Sequence, residues 1–212
     1  MTTFTILLAG TLRSTPRLTG QIAGSRIIAA DAGMAHAAAL GLEPELWVGD
    51  FDSCNPALLE ELAHIPRQAH AVDKDATDGE LAIAEAEARG AEALVLAGGL
   101  GGQADHAMQH FAQAVQLARR GVPALITSGD EEVWPLIPGV HLIDVPVGSR
   151  ISVVAFDDLT SITLENVKWP LDARDVAFGS SLTLSNEALG PVTVKLQAGH
   201  GVIIAYPHPS SR

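Results

Sequence analysis

The chain has 212 residues, of which 47% are hydrophobic, and its formal net charge is −12. This length and composition allow one large domain or two small ones with a sizeable core. The negative charge argues against nucleic acid or an anionic membrane as partner, because both bind clusters of Lys and Arg. The single cysteine, Cys54, excludes an intrachain disulfide. The chain starts without a signal-peptide pattern and has no apolar run near 18 residues, so we expect a cytoplasmic protein.

Short apolar runs alternate with helical patterns over the first part of the chain. Such runs are typical of strands covered on both faces, and their alternation with helices indicates right-handed parallel crossovers. The predicted strands are 3–9, 26–30, 46–48, 69–72, 93–97 and 124–127. The predicted helices are 32–40, about 56–63, 78–89 and one that follows the glycine-rich loop to about 120.

The pattern changes after about Asp130, where helical periodicity disappears. Short apolar runs separated by Gly, Pro, Asn and Asp are typical of an all-β domain of sandwich or barrel type. The predicted strands are 140–145, 151–156, 162–164, 181–184, 192–196 and 202–206. We place the domain boundary near residues 134–139.

An acidic motif, Gly49-Asp50-Phe51-Asp52-Ser53, follows the predicted strand 46–48. If strand geometry continues, Asp50 and Asp52 point the same way, and a divalent cation would relieve their repulsion. Magnesium prefers such carboxylate oxygens. The alternative is that the aspartates only serve a turn before a helix that starts at Asn55-Pro56.

A second acidic segment precedes the helix 78–89. Thr77 and Glu80 have the spacing of a capping box, which places Asp78 in the first helical turn. There a carboxylate either compensates the helix dipole or takes part in a site.

A glycine-rich loop, Gly98 to Gly102, lies between a strand and a helix and is followed by Asp105 and His106. Such a loop brings backbone N–H groups close to phosphates, although flexible connectors look similar. In parallel sheets, ligands bind beyond the carboxyl ends of the strands. The residues that fall there are Asp31, Asp50, Asp52, Lys74, Asp78, the glycine loop and Asp105, and we expect them to form one composite site.

These motifs, in their order, resemble those of the thiamine pyrophosphokinase family. The matching segments are Asp31-Ala32-Gly33, Gly49 to Ser53, Lys74 to Asp78, Gly98 to His106, Val167 to Leu171 and Ser185-Asn186-Glu187. The resemblance covers nearly the whole chain. It departs from the family's pattern at Gln103, where many members have Arg, and at Ala35-His36, where many have Asn-Arg.

The resemblance implies a homodimer with an α/β ATP-binding domain, 1–134, followed by a β-sandwich thiamine-binding domain, 135–212. It implies diphosphate transfer from ATP to the hydroxyl of thiamine, giving thiamine diphosphate and AMP. It makes Asp50, Asp52 and Asp78 the expected Mg²⁺ ligands, and Lys74 a charge toward the phosphates. The remaining expected binding residues are Asp31, Gly33, Gly98, Gly99, Gly101, Gly102, Asp105, His106, Trp169, Ser185 and Asn186.

Alternatives remain for several of these residues and for the activity. Trp169 either stacks on the thiamine rings or packs in the core, and Ser185-Asn186 either bind a ligand or form a turn. A related diphosphokinase acting on another hydroxymethyl heterocycle, such as a pterin, is the second hypothesis. A non-catalytic nucleotide-binding module is the third.

Overall fold

The computed structural model describes residues 1–51, 56–69 and 76–207. The chain divides into two compact units. The N-terminal unit contains residues 1–107 and 126–129, and the C-terminal unit contains residues 108–125 and those from 130 onwards. The predicted division into domains 1–134 and 135–212 stays a prediction.

The N-terminal unit is built on a parallel sheet. Its strands are β1 (Thr3–Leu7), β2 (Arg26–Ala30), β3 (Leu46–Gly49), β4 (Arg67–Ala69), β5 (Ala93–Ala97) and the end of β6 (Ala124–Thr127). β1 pairs in parallel with β2 on one side and β5 on the other, and β3 and β4 continue in parallel beyond β2. The predicted mixed α/β fold with a parallel N-terminal sheet is confirmed.

The order of the strands reverses at β1. From β1 the chain moves outward through β2, β3 and β4, and then returns to the opposite side of β1 with β5. Loops that leave neighbouring strands on opposite sides of such a point create a crevice, which is where ligands bind in open parallel sheets. A ligand site is therefore expected at the loops after β1 and β5.

Five α-helices are present among the described residues. They are α1 (Pro16–Ile22), α2 (Ala35–Leu40), α3 (Pro56–Glu61), α4 (Asp78–Ala88) and α5 (Ala104–Arg119). A 3-10 helix, Asp31–Met34, precedes α2, so the helix predicted as 32–40 is two shorter pieces. Within the described ranges, no helix has the length and apolarity that crossing a membrane requires.

Helix α1 was not predicted from the sequence. Thr15 caps it by accepting a hydrogen bond from the Leu18 amide, and Pro16 occupies the first helical position. Leu18 and Ile22 are its buried side chains. A Thr-Pro start is a known helix signal, but two apolar positions in seven residues give too weak a period to detect.

The C-terminal unit is mainly antiparallel. Its strands are β7 (Glu132–Leu136), β8 (Gly139–Ile143), β9 (Arg150–Ala155), β10 (Leu159–Val167), β11 (Leu171–Val176), β12 (Asn186–Leu196) and β13 (Gly201–Tyr206). The second half of β12 pairs with β8 on one side and β10 on the other, and its first two residues pair with β9. Buried Val, Ile, Leu and Ala side chains from these strands form one apolar core.

The predicted strand 181–184 is wrong, because these residues form turns. The Leu184 amide donates to the Ser181 oxygen, which closes a turn. Thr183 still bonds to the strand beside it, where its side-chain oxygen donates to the Val153 oxygen and its main-chain oxygen accepts from the Val153 amide. The Thr183 hydroxyl, and not a main-chain N–H, donates to the Val153 oxygen. The alternating pattern of this segment therefore does not produce a strand.

An ion-paired cluster joins the start of β2 to the end of α4. The Arg26 guanidinium donates to both oxygens of Glu45 at 2.7 and 2.6 Å, and Arg89 donates to Glu45 at 3.1 Å. The hydrogen bond from Arg26 is the main reason that the pKa of Glu45 lies below its ordinary value. This cluster fastens the sheet at the amino ends of the strands, opposite the edge where the predicted site residues lie.

Candidate active site

A buried tryptophan connects the turns that follow β2 and β3. Trp47 is 1% exposed, and its indole Nε1 donates a hydrogen bond of 2.9 Å to the main-chain oxygen of Asp31. The same indole makes an edge-to-face contact with Phe51, with ring centres 5.1 Å apart. One side chain therefore contacts both of the acidic turns that the sequence singles out.

Asp31 has a buried carboxylate oxygen without a hydrogen-bond partner in the described part of the chain. Its backbone has a φ of 44°, in the left-handed region that non-glycine residues rarely adopt. A Cβ on Gly49 would lie 3.6 Å from this oxygen, Oδ1, so the carboxylate lies against the start of the motif Gly49 to Ser53. A buried oxygen of this kind is unfavourable unless a cation or a ligand donor completes it.

The strand ends before the two aspartates of that motif. β3 stops at Gly49, and Phe51 has a φ of 61°. Strand geometry therefore does not continue through Phe51, so the condition under which Asp50 and Asp52 were expected to point the same way is not met. Asp52 lies outside the described residues.

A metal centre is not assembled by the described residues alone. Within 1–51, 56–69 and 76–207, no group of three or more His, Cys, Asp or Glu side chains is placed to hold a metal ion. This set lacks Asp52, which is one of the three predicted ligands. The assignment of Asp50, Asp52 and Asp78 to Mg²⁺ stays a prediction.

Two glycines of the predicted phosphate loop lie where a Cβ would clash with neighbouring atoms. Gly98 has a φ of 81°, and a Cβ there would lie 2.3 Å from the Leu8 oxygen. A Cβ on Gly101 would lie 2.3 Å from Thr11 Oγ1. The Gly98 amide donates to the Thr127 oxygen at 2.8 Å, so it is already bonded within the chain. Close packing at Gly98 and Gly101 and the bond of the Gly98 amide fix this part of the loop. It is therefore not the flexible connector that was the alternative to a phosphate loop.

The last glycine of the loop, Gly102, differs from Gly98 and Gly101. Gly99 is buried, whereas Gly102 is exposed. Gly102 has a φ of 72°, and a Cβ there would meet nothing closer than 3.9 Å. Space for a ligand beside the backbone is therefore found at Gly102 rather than at Gly98.

The loop after β1 is a part of this region that sequence reasoning missed. The Gly10 amide donates to the Gly98 oxygen at 2.9 Å, and the Thr11 amide donates to the Leu100 oxygen at 2.8 Å. A Cβ on Gly10 would lie 2.4 Å from both of these acceptors. The available signal was a Gly-Thr pair directly after the first apolar run. These bonds join the loops on either side of the strand-order reversal.

Gly33 lies close to the carboxyl end of β1. A Cβ there would lie 2.1 Å from the Leu7 oxygen, so only glycine lets the 3-10 helix approach this strand. Gly33 therefore lets the chain place Asp31, two residues earlier, at this edge of the sheet. Its own binding role stays a prediction.

The helix start at Asp78 is as predicted. Thr77 Oγ1 accepts from the Glu80 amide at 3.2 Å, and Glu80 accepts from the Thr77 amide at 3.0 Å. This confirms the capping box and places Asp78 at the first position of α4. Lys74 lies outside the described residues, so its role stays a prediction.

Asp105 and His106 lie in the first turn of α5, and both are exposed. Asp105 Oδ1 accepts a hydrogen bond of 3.0 Å from the His106 amide. The carboxylate therefore satisfies a main-chain donor near the helix start. Their binding roles stay predictions.

Trp169, in the C-terminal unit, is 57% exposed, so it is not a core residue of that unit. The Lys168 ammonium lies 5.0 Å from the centre of its ring. Asn186, which is 7% exposed, accepts from the Trp169 amide at 3.1 Å and donates to the Trp169 oxygen at 2.7 Å. Asn186 therefore fixes the backbone of Trp169 and presents its indole at the surface.

Ser185 precedes Asn186 in a left-handed backbone conformation, with a φ of 59°. Its amide donates a hydrogen bond of 2.9 Å to Oγ of Ser152, in strand β9. The turn expected at this position is thus present, and it directs the chain into β12. The binding role of Ser185 stays a prediction.

Family models match both parts of the chain. The model described as thiamin pyrophosphokinase, catalytic domain, matches residues 23–126, and the model described as thiamin pyrophosphokinase, vitamin B1 binding domain, matches residues 140–202. A thiamine pyrophosphokinase of Bacillus subtilis (strain 168) is 30% identical over 201 residues, which cover 89% of this chain and 91% of that protein.

Solved structures show the same fold. A crystal structure of thiamine pyrophosphokinase from Bacillus subtilis superposes with a TM-score of 0.86 at 26% identity, covering 96% of this chain and 98% of the other. Thiamin pyrophosphokinase from Candida albicans gives a TM-score of 0.80 at 12% identity, covering 98% of this chain and 89% of the other. At that identity the second likeness concerns the fold alone.

The fold and the family models define a transferase whose two parts correspond to a catalytic and a vitamin-binding domain. The chain belongs to the thiamine pyrophosphokinase family. The predicted family and enzyme class are confirmed, and neither the pterin-type acceptor nor the non-catalytic module is favoured.

Proposed function

We propose that this chain transfers the diphosphate group of ATP to the hydroxyl of thiamine, giving thiamine diphosphate and AMP. Family membership supports the reaction, and the N-terminal unit supplies a suitable place for it. There, turns after β1, β2, β3 and β5 meet at the carboxyl edge of the sheet. The buried Asp31 Oδ1, which lacks a hydrogen-bond partner in the described part of the chain, is the observation that most favours a ligand at this edge.

Magnesium is the cation that we propose for this edge, held by Asp50, Asp52 and Asp78. The donors are carboxylate oxygens, which suit a hard divalent ion, and an oxygen without a protein donor lies beside Gly49. When bound, the ion would neutralise charge on the phosphate oxygens. A net charge of −12 makes such a cation useful, because the chain has few basic residues to offer a polyanion.

Apart from the metal ligands, the side chains and backbone of this site would act by positioning the substrates. Lys74 would add a point charge to the phosphates. The loops at Gly10 and Gly98 would fix the wall of the crevice, and Gly102 would offer the space where a phosphate approaches the backbone. Holding the alcohol in line with the β-phosphorus supplies much of the rate in reactions of this type.

Thiamine would bind through Trp169, whose exposed indole attracts the positive thiazolium ring. Its contact with the Lys168 ammonium shows that a cation is already accommodated against this ring. Ser185 would contribute a hydroxyl beside it. Asn186 would act by holding Trp169, because its carboxamide is bonded to the Trp169 backbone.

We further propose that the C-terminal unit is a β-sandwich through which two copies form a homodimer. Large apolar side chains are exposed on this unit, as expected for a surface that is covered by a partner. They include Phe178, Leu182, Leu184 and Leu189. We propose a cytoplasmic location, which suits a chain with a single cysteine.

Release of AMP from ATP tests the reaction. We expect AMP with thiamine and Mg²⁺, and none with a pterin alcohol or without an acceptor. Asp52→Asn should abolish turnover, whereas Asp172→Asn, an exposed site on β11, should not. Near-normal turnover of Asp52→Asn would contradict the metal assignment, and the absence of thiamine-dependent AMP from the parent would contradict the proposed function.

A further inference from the structure

We propose that His36 is a positioning residue that holds the loops after β1 and β5 together and thereby sets the affinity for ATP. This inference rests on the proposed function, because it assigns a task to a residue of the same site. The chain carries His36 where a fixed positive charge is common in the family, so charge is the obvious role for it. The geometry points instead to a hydrogen-bond donor.

His36 belongs to α2, and its imidazole Nε2 lies 3.0 Å from the main-chain oxygen of Gly10. A carbonyl oxygen only accepts hydrogen bonds, so Nε2 carries the hydrogen in this contact. In the neutral ring the other nitrogen, Nδ1, is then an acceptor and cannot donate to a phosphate oxygen. The nitrogen that donates is already used on the protein backbone.

The same imidazole lies beside the glycine loop. The side of Gly98 that a Cβ would occupy faces this ring, because a Cβ there would lie 3.5 Å from His36 Cδ2. Gly10 and Gly98 are themselves joined by a hydrogen bond of 2.9 Å. One ring thus bonds to the loop after β1 and lies next to the loop after β5, from a third element of the N-terminal unit.

Glycine loops need such support, because they have no side chains of their own to fix their shape. Gly10 and Gly98 permit the close approach of the two loops, but their absent side chains also leave the unfolded backbone more freedom. A donor from α2 removes part of this freedom in the folded state. Without it, the loops would have to be ordered when the nucleotide binds, and part of the binding free energy would be lost.

Three variants separate donation from charge and from volume. His36→Gln keeps an N–H donor at similar reach, His36→Leu removes the donor at similar size, and His36→Arg adds a fixed charge. His64→Leu is the matched control at an exposed histidine outside the site. We expect His36→Leu to raise KM for ATP about 2- to 12-fold, the worth of one hydrogen bond, with KM for thiamine unchanged. His36→Gln should stay within about twofold of the parent.

Amide hydrogen exchange gives a readout that does not need turnover. Peptides covering 8–13 and 98–103 should exchange faster in His36→Leu than in the parent, and His36→Gln should restore protection. Equal KM values and equal exchange in parent and His36→Leu would overturn the proposal. So would a defect of His36→Gln as large as that of His36→Leu, or an ATP affinity of His36→Arg that matches the parent while the loops exchange faster.

Failure of the proposed function would look different. In that case the parent would give no thiamine-dependent AMP. The order of exchange rates among the three His36 variants would still report whether His36 holds the loops after β1 and β5. Equilibrium binding of ATP to each variant would then decide between a loop that positions a nucleotide and one that does not. Tighter binding by the parent than by His36→Leu supports the proposal, and equal binding overturns it.

Discussion

Replacing Asp31 by Asn should make the ligand-free protein more stable and the ligand-bound protein less stable. Asp31 Oδ1 is buried and has no hydrogen-bond partner in the described part of the chain. An unsatisfied buried polar group costs about 1–3 kcal/mol. Asn has the same shape and tolerates the left-handed backbone of this residue, whose φ is 44°. Asn leaves a polar group at this point, but burying an amide costs less than burying a carboxylate. Removing the charge should therefore recover about 1 kcal/mol, or about 2–4 °C in Tm for a chain of this size.

The effect of ligand should have the opposite sign. At a hundred times its Kd, Mg–ATP would stabilise the parent by about 2.7 kcal/mol. If the Asp31 carboxylate takes part in the site and its loss weakens binding a hundredfold, this gain falls to about 0.4 kcal/mol. Thermal unfolding of parent and Asp31→Asn, each with and without Mg–ATP, measures the ligand-free stability and the stabilisation by Mg–ATP in one experiment.

Two controls make this test specific. Asp172→Asn makes the same chemical change at an exposed position of β11. It should alter neither the ligand-free stability nor the stabilisation by Mg–ATP. Asp31→Ala also removes the charge, but it adds about 1–2 kcal/mol of left-handed strain, so its ligand-free gain should disappear. The reasoning fails if ligand-free Asp31→Asn is less stable than the parent, or if it keeps the full stabilisation by Mg–ATP.

Other substitutions test the packing and the thiamine side of the site. Glu45→Gln should lower the urea midpoint at pH 7; because the pKa of Glu45 is lowered in the folded state, this difference should vanish as the pH falls below 4.5 and through that pKa. Gly98→Ala should cost roughly 2 kcal/mol more than Gly24→Ala in urea unfolding, since both have positive φ but only Gly98 lacks room for a Cβ. Trp169→Ala should raise KM for thiamine and change the unfolding free energy by less than about 0.5 kcal/mol. Asn186→Ala should raise the same KM and also cost about 1–3 kcal/mol in stability, because it loses two bonds to the backbone of Trp169.

Elements with strong local signals could be predicted from the sequence. The strands 93–97 and 124–127 have the predicted bounds, and α3 begins at the predicted Pro56. The capping box of Thr77 and Glu80 forms as expected. Each of these depends on residues that are neighbours in the chain, such as a buried-type apolar run or a helix cap.

Features that depend on distant parts of the chain could not be predicted in the same way. The sequence shows that Asp31 follows a strand, but not that Trp47 donates to its main-chain oxygen. The segment 181–184 has an alternating pattern, yet Thr183 uses its hydroxyl toward Val153 and the chain turns. Strand β11 is largely exposed and polar, so it lacks the apolar alternation by which a strand is found.

Glycines illustrate this limit at the site itself. Counting glycines between a strand and a helix suggests a phosphate loop, but the count does not separate packing from ligand binding. At Gly10, Gly98 and Gly101 a Cβ would come within 2.4 Å of another atom, so close approach within the protein explains why these positions are glycine. At Gly102 only the backbone conformation requires it, and space remains beside the chain. The part of the loop that can face a phosphate is therefore shorter than its sequence suggests, and the other glycines hold it in place.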